Sequence, residues 1–198
     1  MKETNPFEFD ADKYRKASAH QKEWGMRLIA ELSLRGNERI LDLGCGDGIV
    51  TAKLLELVPQ GQVVGIDSSQ NMIEAAQVLA GDRMSFRRLD INELDYCDAF
   101  DLVFSNATLH WVRDHRQLLN KVYRALSPDG LCRFNFASDG NCVNFIGVVR
   151  DLMSDPSYER FFHDFRWPWF MPTLDDYDKL FDGIPFVEHH IWEENADR

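Results

Sequence analysis

Three glycines at alternate positions stand in the run Asp42-Leu43-Gly44-Cys45-Gly46-Asp47-Gly48. Glycine at such positions lets the backbone turn tightly and approach a bound ligand closely. The dinucleotide fingerprint requires the spacing G-x-G-x-x-G, and Ile49 stands where its third glycine belongs, which weakens the case for NAD or FAD. Asp42 places a carboxylate beside the turn, where a pyrophosphate is repelled and a ligand ammonium is attracted.

Two further carboxylates follow the next two candidate strands. Asp67 ends the segment Gln62-Val63-Val64-Gly65-Ile66-Asp67, and Asp90 comes directly after Met84-Ser85-Phe86-Arg87-Arg88-Leu89. Ligands bind at the carboxyl ends of strands in open parallel sheets, where an acid such as Asp67 can accept both hydroxyls of a ribose. Asp90 is placed to accept a hydrogen bond from an adenine amino group. Three acids at successive strand ends therefore suit a cationic, ribose-bearing ligand without phosphates.

Short apolar segments alternate with amphipathic ones from Glu38 to Phe136. The pattern predicts five strands, at Glu38–Leu43, Gln62–Asp67, Met84–Leu89, Phe100–Ser105 and Leu131–Phe136. Helical spacing predicts one helix over Ile49–Val58, a second from Ser68-Ser69 to Leu79 and a third that begins at Asp114; Ser127-Pro128-Asp129-Gly130 predicts the turn into the fifth strand. We therefore expect an α/β fold with a doubly wound, mainly parallel sheet and helices on both faces.

The segments on either side of this core differ from it. A leading helix is predicted over Asp12–Leu34, where it can pack on the sheet or cover a site. After the fifth strand we expect a helix over Asn144–Met153, an aromatic-rich stretch over Tyr158–Phe181 and a late strand over Phe186–Trp192. The prediction is a single domain, 1–198, with a core at about 35–136, a helical insertion at about 137–183 and the late strand at about 184–195.

Six aromatic residues of the insertion admit two interpretations. They are Phe161, Phe162, Phe165, Trp167, Trp169 and Phe170. They can form a hydrophobic mini-core that holds the insertion to the sheet. They can also form a lid around a substrate and a cationic centre, since aromatic faces attract cations. The sequence leaves both interpretations open.

The chain of 198 residues carries 33 aspartates and glutamates against 22 lysines and arginines, a formal charge of −11. This balance argues against a nucleic-acid partner, which calls for a basic face, and against docking on an anionic membrane. No apolar run approaches the roughly 18–20 residues of a membrane-spanning helix. The four cysteines form no C-x-x-C pair and the histidines show no metal spacing, so we predict reduced thiols, a cytoplasmic location and no metal site.

The glycine loop and the strand ends resemble the class I S-adenosylmethionine-dependent methyltransferases, whose fold is Rossmann-like. The run from Asp42 to Gly48 matches their D/E-x-G-x-G-x-G loop, and Val63–Asp67 matches their second motif. Leu89-Asp90-Ile91 resembles the third motif, Asp101–Leu109 the fourth, and Ser127–Gly130 the loop before the fifth strand. The resemblance covers Tyr14 to Phe136 well and the remainder more loosely.

Other residues resemble the branch that methylates small carboxylic acids, which includes the trans-aconitate, malonyl-carrier-protein and juvenile hormone acid methyltransferases. They are Tyr14 and Gln21 in the leading helix, the run from Ser105 to Trp111, and Asn141–Phe145. Phe165–Phe170 and the ending Trp192–Asp197 look most like the trans-aconitate enzyme. In this branch the leading helix closes over the cofactor and the insertion after the fifth strand covers the substrate.

The resemblance implies a role for each of these residues around the cofactor S-adenosyl-L-methionine. The backbone of Gly44, Cys45, Gly46 and Gly48 would lie against its methionine part, with the amino group on Asp42. Asp67 would take the ribose hydroxyls, Ser68 and Met72 would lie beside the adenosine, and Asp90 and Ile91 would hold the adenine. Gln21, Asn106 and Ala107 would bind along the path from cofactor to acceptor. The acceptor itself would face His110, which orients it, together with Trp111 and Gln21.

The implied reaction is methyl transfer to a small molecule, most simply O-methylation of a carboxylic acid as in the trans-aconitate enzyme. A carboxylate is ionised at neutral pH and needs no general base, whereas a hydroxyl acceptor would need His110 as base. His110 can also be a structural histidine, and Trp111 can simply fill core. The alternatives left open are methylation of an amine or phenol, a non-catalytic cofactor-binding module, and a nicotinamide-dependent oxidoreductase, which the loop spacing disfavours.

The family normally closes its sheet with a seventh, antiparallel strand that pairs with the sixth. The sequence stops at Arg198, just after the candidate sixth strand. We therefore expect the final strand to be missing and one sheet edge to stay open, which favours pairing with another chain.

Overall fold

Five parallel strands form the centre of the molecule. The structure is a computed structural model that describes residues 19–194. The strands are β1 (Arg39–Leu43), β2 (Gln62–Asp67), β3 (Met84–Arg88), β4 (Phe100–Asn106) and β5 (Leu126–Asn135). Their order in the sheet is β3-β2-β1-β4-β5, and each neighbouring pair is parallel. The strand order changes direction between β1 and β4, where doubly wound sheets bind ligands.

Seven α-helices precede, connect or follow these strands in the described residues. They are α1 (Ala19–Ala30), α2 (Ile49–Leu57), α3 (Gln70–Ala76), α4 (His115–Ala125), α5 (Val143–Ser154), α6 (Glu159–Phe162) and α7 (Leu174–Asp178). Short 3-10 helices occupy Gln77–Leu79, Ile91–Glu93, Leu109–Trp111 and Lys179–Phe181. The expected α/β class is confirmed.

Both faces of the sheet carry an apolar layer, because successive strand residues point to opposite sides. On one face Leu41 and Val103 pack with residues of α4. On the other face Ile40 and Leu102 pack with residues of α1 and α2. Helices on both faces therefore fix the strand ends, which is where the predicted site residues stand.

Hydrogen bonds confirm two predicted helix starts. The hydroxyl oxygen of Ser69 accepts the N–H of Met72 at 3.3 Å, and the carboxylate of Asp114 accepts the N–H of Gln117 at 2.8 Å. Each bond satisfies a donor that the first helical turn leaves unpaired, and such a cap stabilises a helix by about 1 kcal/mol. The predicted strand bounds are right to within a residue for β1 to β4.

The start of β5 is irregular. Phe100 pairs with Leu126 and Leu102 pairs with Leu131, so residues 127–130 bulge out opposite the single residue Asp101. The Ser127 hydroxyl donates to the Asp101 carboxylate at 2.6 Å and holds the bulge against β4. The predicted turn at these four residues is therefore present, but it is set inside a strand that begins at Leu126.

The predicted late strand over Phe186–Trp192 is wrong, because residues 185–194 have no regular secondary structure. Side-chain contacts, and not backbone strand pairing, attach this segment to the rest of the molecule. The Phe186 ring contacts the Tyr123 ring edge-on at 5.3 Å, and the Arg133 guanidinium lies 4.5 Å from the Trp192 ring centroid. In the described residues β5 pairs with β4 alone, so its outer edge is open.

Contacts with other elements hold the insertion in place. No residue of 141–170 is buried, and α5 has no buried residue. His115 of α4 contacts the Phe170 and Phe136 rings at 4.6 and 5.1 Å, and its Nδ1 lies 3.2 Å from the hydroxyl of Tyr177, which is buried. Among the six aromatic residues considered from the sequence, only Phe170 makes this contact, so the mini-core interpretation fails for the other five.

Some predictions lie outside the described residues. They include Tyr14, the first part of the predicted helix over Asp12–Leu34, and the ending Asn195–Asp197. Between residues 19 and 194 no helix is long and apolar enough to cross a membrane.

Candidate functional site

The loop after β1 turns through three glycines in the left-handed region of backbone space. Gly44, Gly46 and Gly48 have φ angles of 73°, 56° and 78°. A Cβ on Gly44 would lie 2.2 Å from the side chain of Thr108, in the loop after β4. Glycine at 44 is therefore required twice, by its backbone angle and by the close approach of the β4 loop.

Asp42 lies in β1 and is buried, with 2% of its surface exposed. Its carboxylate accepts the hydroxyl proton of Thr51 at 2.6 Å. Burial raises the pKa of Asp42 to about 7, with the Thr51 bond acting to lower it and the nearby charge of Asp67 acting to raise it. A carboxylate kept so far from water is stabilised by a cation, because the cation offsets the loss of hydration.

Asp67 joins the end of β2 to the glycine loop. One carboxylate oxygen accepts the N–H of Gly46 at 3.0 Å, and the other accepts the N–H of Ser69 at 2.9 Å. Both bonds come from the backbone, so the loop and the start of α3 fix the carboxylate at the carboxyl edge of the sheet. Ser68 beside it is exposed, and Met72 in the first turn of α3 is buried.

Asp90 and Ile91 follow β3 at the next strand end. Asp90 is exposed and accepts the N–H of Asn92 at 2.8 Å, which starts a 3-10 helix, and Ile91 is buried. The N–H of Leu89 donates to the carbonyl of Asp67 at 3.0 Å, which keeps the two strand ends adjacent. The structure therefore brings the acids of β2 and β3 to one edge.

A small cleft lies between the glycine loop and α1. Its walls are Gln21, Lys22, Asp42, Gly44, Cys45, Gly46, Asp47, Val50 and Asn106. The Lys22 ammonium pairs with the Asp47 carboxylate at 2.9 Å, and Asp47 is 6% exposed. A Cβ on Gly25 would lie 3.1 Å from Val50, so α1 packs closely against the start of α2. The leading helix therefore lies against the glycine loop.

Three buried polar atoms in the described residues have no hydrogen-bond partner: Gln21 Oε1, Asn106 Oδ1 and His110 Nδ1. The Asn106 side-chain amide donates to the main-chain carbonyl of Gln21 at 2.7 Å, so only its oxygen is unused. Buried polar atoms are nearly always paired, and an unpaired group costs about 1–3 kcal/mol. Three such atoms on adjoining elements mark a place where a ligand supplies the missing partners.

Gln21 and Asn106 also line a second, larger groove. From them the groove passes Ala107, His110 and Trp111, reaches Trp169 of the insertion, and follows the open side of β5. Ala107 has φ 55°, a strained angle for a residue with a side chain, and its N–H donates to the carbonyl of Asn135 at 2.8 Å. Gln21 and Asn106 thus form a wall shared by the cleft and the groove.

His110 lines the groove. Burial and, to a smaller extent, nearby His115 lower its pKa to about 4. A group with this pKa is neutral and a weak base at neutral pH, and its ring can form hydrogen bonds. The main-chain carbonyl of His110 accepts the N–H of Phe170 at 2.8 Å, which ties the insertion to the β4 loop. Trp111 is 42% exposed, so the core-filling interpretation of it is wrong.

The cysteines offer no nucleophile at this site. Cys45 is buried in the glycine loop, and burial raises the pKa of its thiol, as do the charges of Asp42 and Asp67. All four cysteines are free. No group of three metal-ligating side chains occurs within residues 19–194.

Sequence reasoning missed Lys22, Thr51 and Thr108. Each contacts a predicted residue or its neighbour from a different element. Lys22 forms an ion pair with Asp47, and the hydroxyls of Thr51 and Thr108 donate to the Asp42 carboxylate and the Gly44 carbonyl. Their only signal in the sequence is position, since Lys22 follows Gln21 and Thr51 stands near the start of α2. The contacts depend on tertiary packing, which spacing along the chain does not reveal.

Comparisons with known proteins agree with this geometry. Residues 40–130 match the family model described as a methyltransferase domain. A methyltransferase of Schizosaccharomyces pombe is 32% identical over 86% of this chain and 66% of its own length. The juvenile hormone acid O-methyltransferase of Bombyx mori is 37% identical over 64% of this chain and 50% of its own length. A trans-aconitate 2-methyltransferase of Escherichia coli is 34% identical over 70% of this chain and 53% of its own length.

The chain therefore spans about half to two thirds of the length of these curated relatives. Among solved structures, an S-adenosylmethionine-dependent methyltransferase from Mesorhizobium loti is 35% identical, covers 59% of this chain and 54% of its own, and has a TM-score of 0.52. The methyltransferase in a complex with the Trm112 activator of Haloferax volcanii aligns with 87% of this chain and 72% of its own, with a TM-score of 0.67. Because its sequence identity is 19%, it supports the fold alone.

Proposed function

Because the chain belongs to the S-adenosylmethionine-dependent methyltransferases, we propose that it transfers a methyl group to the carboxylate of a small organic acid. The observation that carries this proposal is the set of three buried, unpartnered atoms of Gln21, Asn106 and His110. Gln21 and Asn106 line both the cofactor cleft and the groove, and His110 lines the groove. In this proposal the methyl group passes from donor to acceptor beside these residues.

The cleft fits the methionine part of S-adenosyl-L-methionine by the chemistry of its walls. When bound, the cofactor supplies a methyl group on a positively charged sulfur. We assign the ligand ammonium to Asp42, whose buried carboxylate gains from a cation. The backbone of Gly44, Cys45, Gly46 and Gly48 would lie along the methionine part, with Gln21, Asn106 and Ala107 toward the acceptor.

The adenosine part is assigned to the neighbouring strand ends. Asp67 would accept the ribose hydroxyls, with Ser68 and Met72 beside the adenosine. Asp90 and Ile91 would hold the edge and face of the adenine. The support is position, since β1, β2 and β3 are adjacent and parallel, and their carboxyl ends lie on one edge of the sheet.

A carboxylate is the acceptor that this site suits best. It is ionised at neutral pH, so no proton has to be removed. The neutral ring of His110 can donate a hydrogen bond that orients it, but with its low pKa the ring is a poor base for a phenol or alcohol. In the proposed step an acceptor oxygen forms a bond to the methyl carbon while the methyl–sulfur bond breaks and its electron pair stays on sulfur.

The residues act mainly by position. Holding two reactants in line converts a bimolecular step into a nearly unimolecular one and lowers the barrier by several kcal/mol. The α1 helix and the insertion tie down the two sides of the shared wall, through the Gln21–Asn106 bond and the Phe170–His110 bond. No covalent intermediate on the protein is needed.

The names of two relatives support the choice of acceptor. Juvenile hormone acid and trans-aconitate are carboxylic acids, and the proteins that carry those names match 64–70% of this chain. The proposal also places the protein in the cytoplasm with a small-molecule partner and no nucleic acid. Its support is the formal charge of −11 and the four free cysteines.

The test is methyl transfer from isotope-labelled cofactor to a panel of carboxylic acids, amines and phenols. Asn106→Ala should lower kcat/KM for an acid about tenfold or more, because it removes a buried polar contact at the shared wall. Asn120→Ala, exposed on α4, is the matched control and should leave kcat/KM unchanged. Methylation of amines or phenols alone would overturn the carboxylate acceptor. Cofactor binding without any methylated product would instead favour a non-catalytic module.

A further inference from the structure

A run of aromatic rings leads outward from His110 at the shared wall. The Trp111 ring lies 5.5 Å from the His110 ring and 5.8 Å from that of Trp169. Beyond Trp169 the run continues to Trp167 at 5.9 Å and to Phe165 a further 5.2 Å away, while Phe145 contacts Trp169 at 6.4 Å. We call these five residues, Trp111, Phe145, Phe165, Trp167 and Trp169, the aromatic wall.

The aromatic wall is not a packed core. Phe145 is 57% exposed, Trp111 42% and Phe165 40%, and neither Trp167 nor Trp169 is buried. Apolar surface in contact with water is unfavourable by about 25 cal/mol per Å², so a contiguous patch of this kind gains from being covered. Of its five residues, Trp111 and Trp169 line the groove together with His110, so an acceptor bound in the groove is in position to cover these two rings.

The charges around the groove oppose a polyanionic acceptor. Six carboxylate residues of the described chain line it. Asp98 and Asp129 lie at the amino ends of β4 and β5, away from His110, whereas Asp139 follows the carboxyl end of β5 and Glu193 accepts a hydrogen bond from the Ser138 hydroxyl. The remaining two are Glu188 and Glu194. Its two arginines are already engaged, Arg124 with Asp95 at 3.5 Å and Arg133 with Glu31 at 2.5 Å. A second or third carboxylate on the acceptor would therefore meet repulsion along the groove, with both of these guanidinium groups already paired.

We infer that the acceptor is a monocarboxylic acid with an extended apolar body, and not a small polycarboxylate. Its single carboxylate would lie at His110, and its apolar body would cover the aromatic wall from Trp111 towards Trp169. The inference rests on the proposed function, and it narrows that function away from the trans-aconitate-like acceptor that the sequence resemblance favours.

Binding to the protein saturated with S-adenosylhomocysteine tests this inference without turnover. Decanoate and 3-phenylpropionate are titrated by calorimetry, with trans-aconitate and citrate as the polycarboxylates, and the intrinsic tryptophan fluorescence is followed in parallel. We expect decanoate to bind at least tenfold more tightly than either polycarboxylate and to change the tryptophan emission. Tighter binding of a polycarboxylate, or no binding of either monocarboxylate, would overturn the inference.

Substitutions in the aromatic wall test whether it contributes to the affinity for decanoate. Trp169→Ala and the milder Trp169→Leu should weaken decanoate binding, the first by at least tenfold, with the affinity for S-adenosylhomocysteine unchanged. The matched control is Phe161→Ala: Phe161 is 67% exposed in the same insertion, does not line the groove and should leave both affinities unchanged. Equal decanoate affinity in all three variants and the wild type would contradict the aromatic wall as the binding surface.

Turnover separates this inference from the proposed function. Methyl ester formed from decanoate in preference to trans-aconitate supports both. Methyl ester formed only from polycarboxylates overturns the inference and leaves carboxylate methylation standing. Product found only on amines or phenols with apolar bodies overturns the carboxylate proposal, while tighter binding of apolar ligands still supports the aromatic wall.

Discussion

At the scale of single residues, Asp42 links the burial of a charge to ligand affinity. Its carboxylate is fully enclosed and its pKa lies at about 7. The ionised form is the one that binds an ammonium, and the unbound protein holds much of the protonated form below pH 7. Under the proposed assignment of the ligand ammonium to Asp42, cofactor affinity is therefore coupled to the release of this proton.

We predict that the affinity for S-adenosylhomocysteine rises about tenfold between pH 6 and pH 8, because the ionised fraction of a group with a pKa of about 7 rises about tenfold over that interval. Calorimetric titration across this range measures the effect. Asp42→Asn, which keeps an acceptor for the Thr51 hydroxyl, should bind more weakly and without this pH dependence. Glu56→Gln, exposed on α2, should behave as the wild type; a pH dependence that survives in Asp42→Asn would exclude Asp42 as its source.

Gly44 shows how one residue type satisfies two demands. An alanine at 44 would keep a φ of 73° and would place its Cβ 2.2 Å from Thr108. We predict that Gly44→Ala lowers the free energy of unfolding by about 2–4 kcal/mol, the sum of backbone strain and overpacking. Urea denaturation measures it.

The double variant Gly44→Ala/Thr108→Gly separates the two costs. It removes the clashing side chain and should recover the overpacking part, while about 1 kcal/mol of backbone strain remains. Thr108→Gly alone is the reference for the cycle. If the double variant is destabilised by as much as the two single variants added together, the clash at Gly44→Ala is relieved in another way.

At the scale of elements, α1 is held over the glycine loop by one ion pair with a buried carboxylate. Lys22 pairs with Asp47, which is 6% exposed, whereas Arg27 of the same helix pairs with Glu23 at the surface, both side chains 60% exposed. Removing one partner of a buried pair leaves an uncompensated charge, while exposed pairs contribute less than about 1 kcal/mol.

We predict that Lys22→Met weakens S-adenosylhomocysteine binding about three- to tenfold and speeds its dissociation, because α1 no longer holds the loop closed. Arg27→Ala should change neither quantity. Stopped-flow displacement gives the dissociation rate, and calorimetry gives the affinity. Equal effects of the two substitutions would mean that general loss of helix α1 stability, and not the contact with Asp47, controls binding.

The elements also show how far sequence patterns reach. The cores of β1, β2 and β4 are predictable because each is a short apolar run bounded by turn residues. Ser69 and Asp114 predict the helices that follow them because both are common helix-capping residues. Phe186–Trp192 has the composition of a strand, but a strand needs a hydrogen-bonded neighbour, and the open edge of β5 does not pair with this segment. Thr51, Lys22 and Thr108 escaped prediction because their partners are brought near only by the folded sheet.

At the scale of the whole molecule, buried titratable groups set the response of stability to pH. Burial lowers the pKa of both His110 and His115, so below about pH 6.5 the unfolded chain binds more protons at these two residues than the folded protein does. Asp42 acts in the opposite sense, because its raised pKa lets the folded protein bind one proton that the unfolded chain has released between about pH 4 and pH 7. Between pH 5 and pH 6 the proton on Asp42 therefore opposes the contribution of the two histidines.

We predict that between pH 5 and pH 6 the free energy of unfolding rises with pH more steeply in Asp42→Asn than in the wild type. The difference in slope should be about 1.4 kcal/mol per pH unit, the value for the one proton that buried Asp42 holds in the folded protein. Chemical denaturation at several pH values measures both slopes. Equal slopes in the two proteins would show that Asp42 does not hold this proton.

The wall shared by the cleft and the groove has a consequence for the order of events in a catalytic cycle. Gln21 belongs to the helix that covers the cleft, yet its oxygen and that of Asn106 also complete the inner end of the groove. Under the proposed function, the inner end of the acceptor pocket is complete only with α1 in this position, and a cofactor that enters past α1 would have to bind before the acceptor. Such a molecule would follow compulsory-order kinetics, with the methyl donor first to arrive and its demethylated form last to leave.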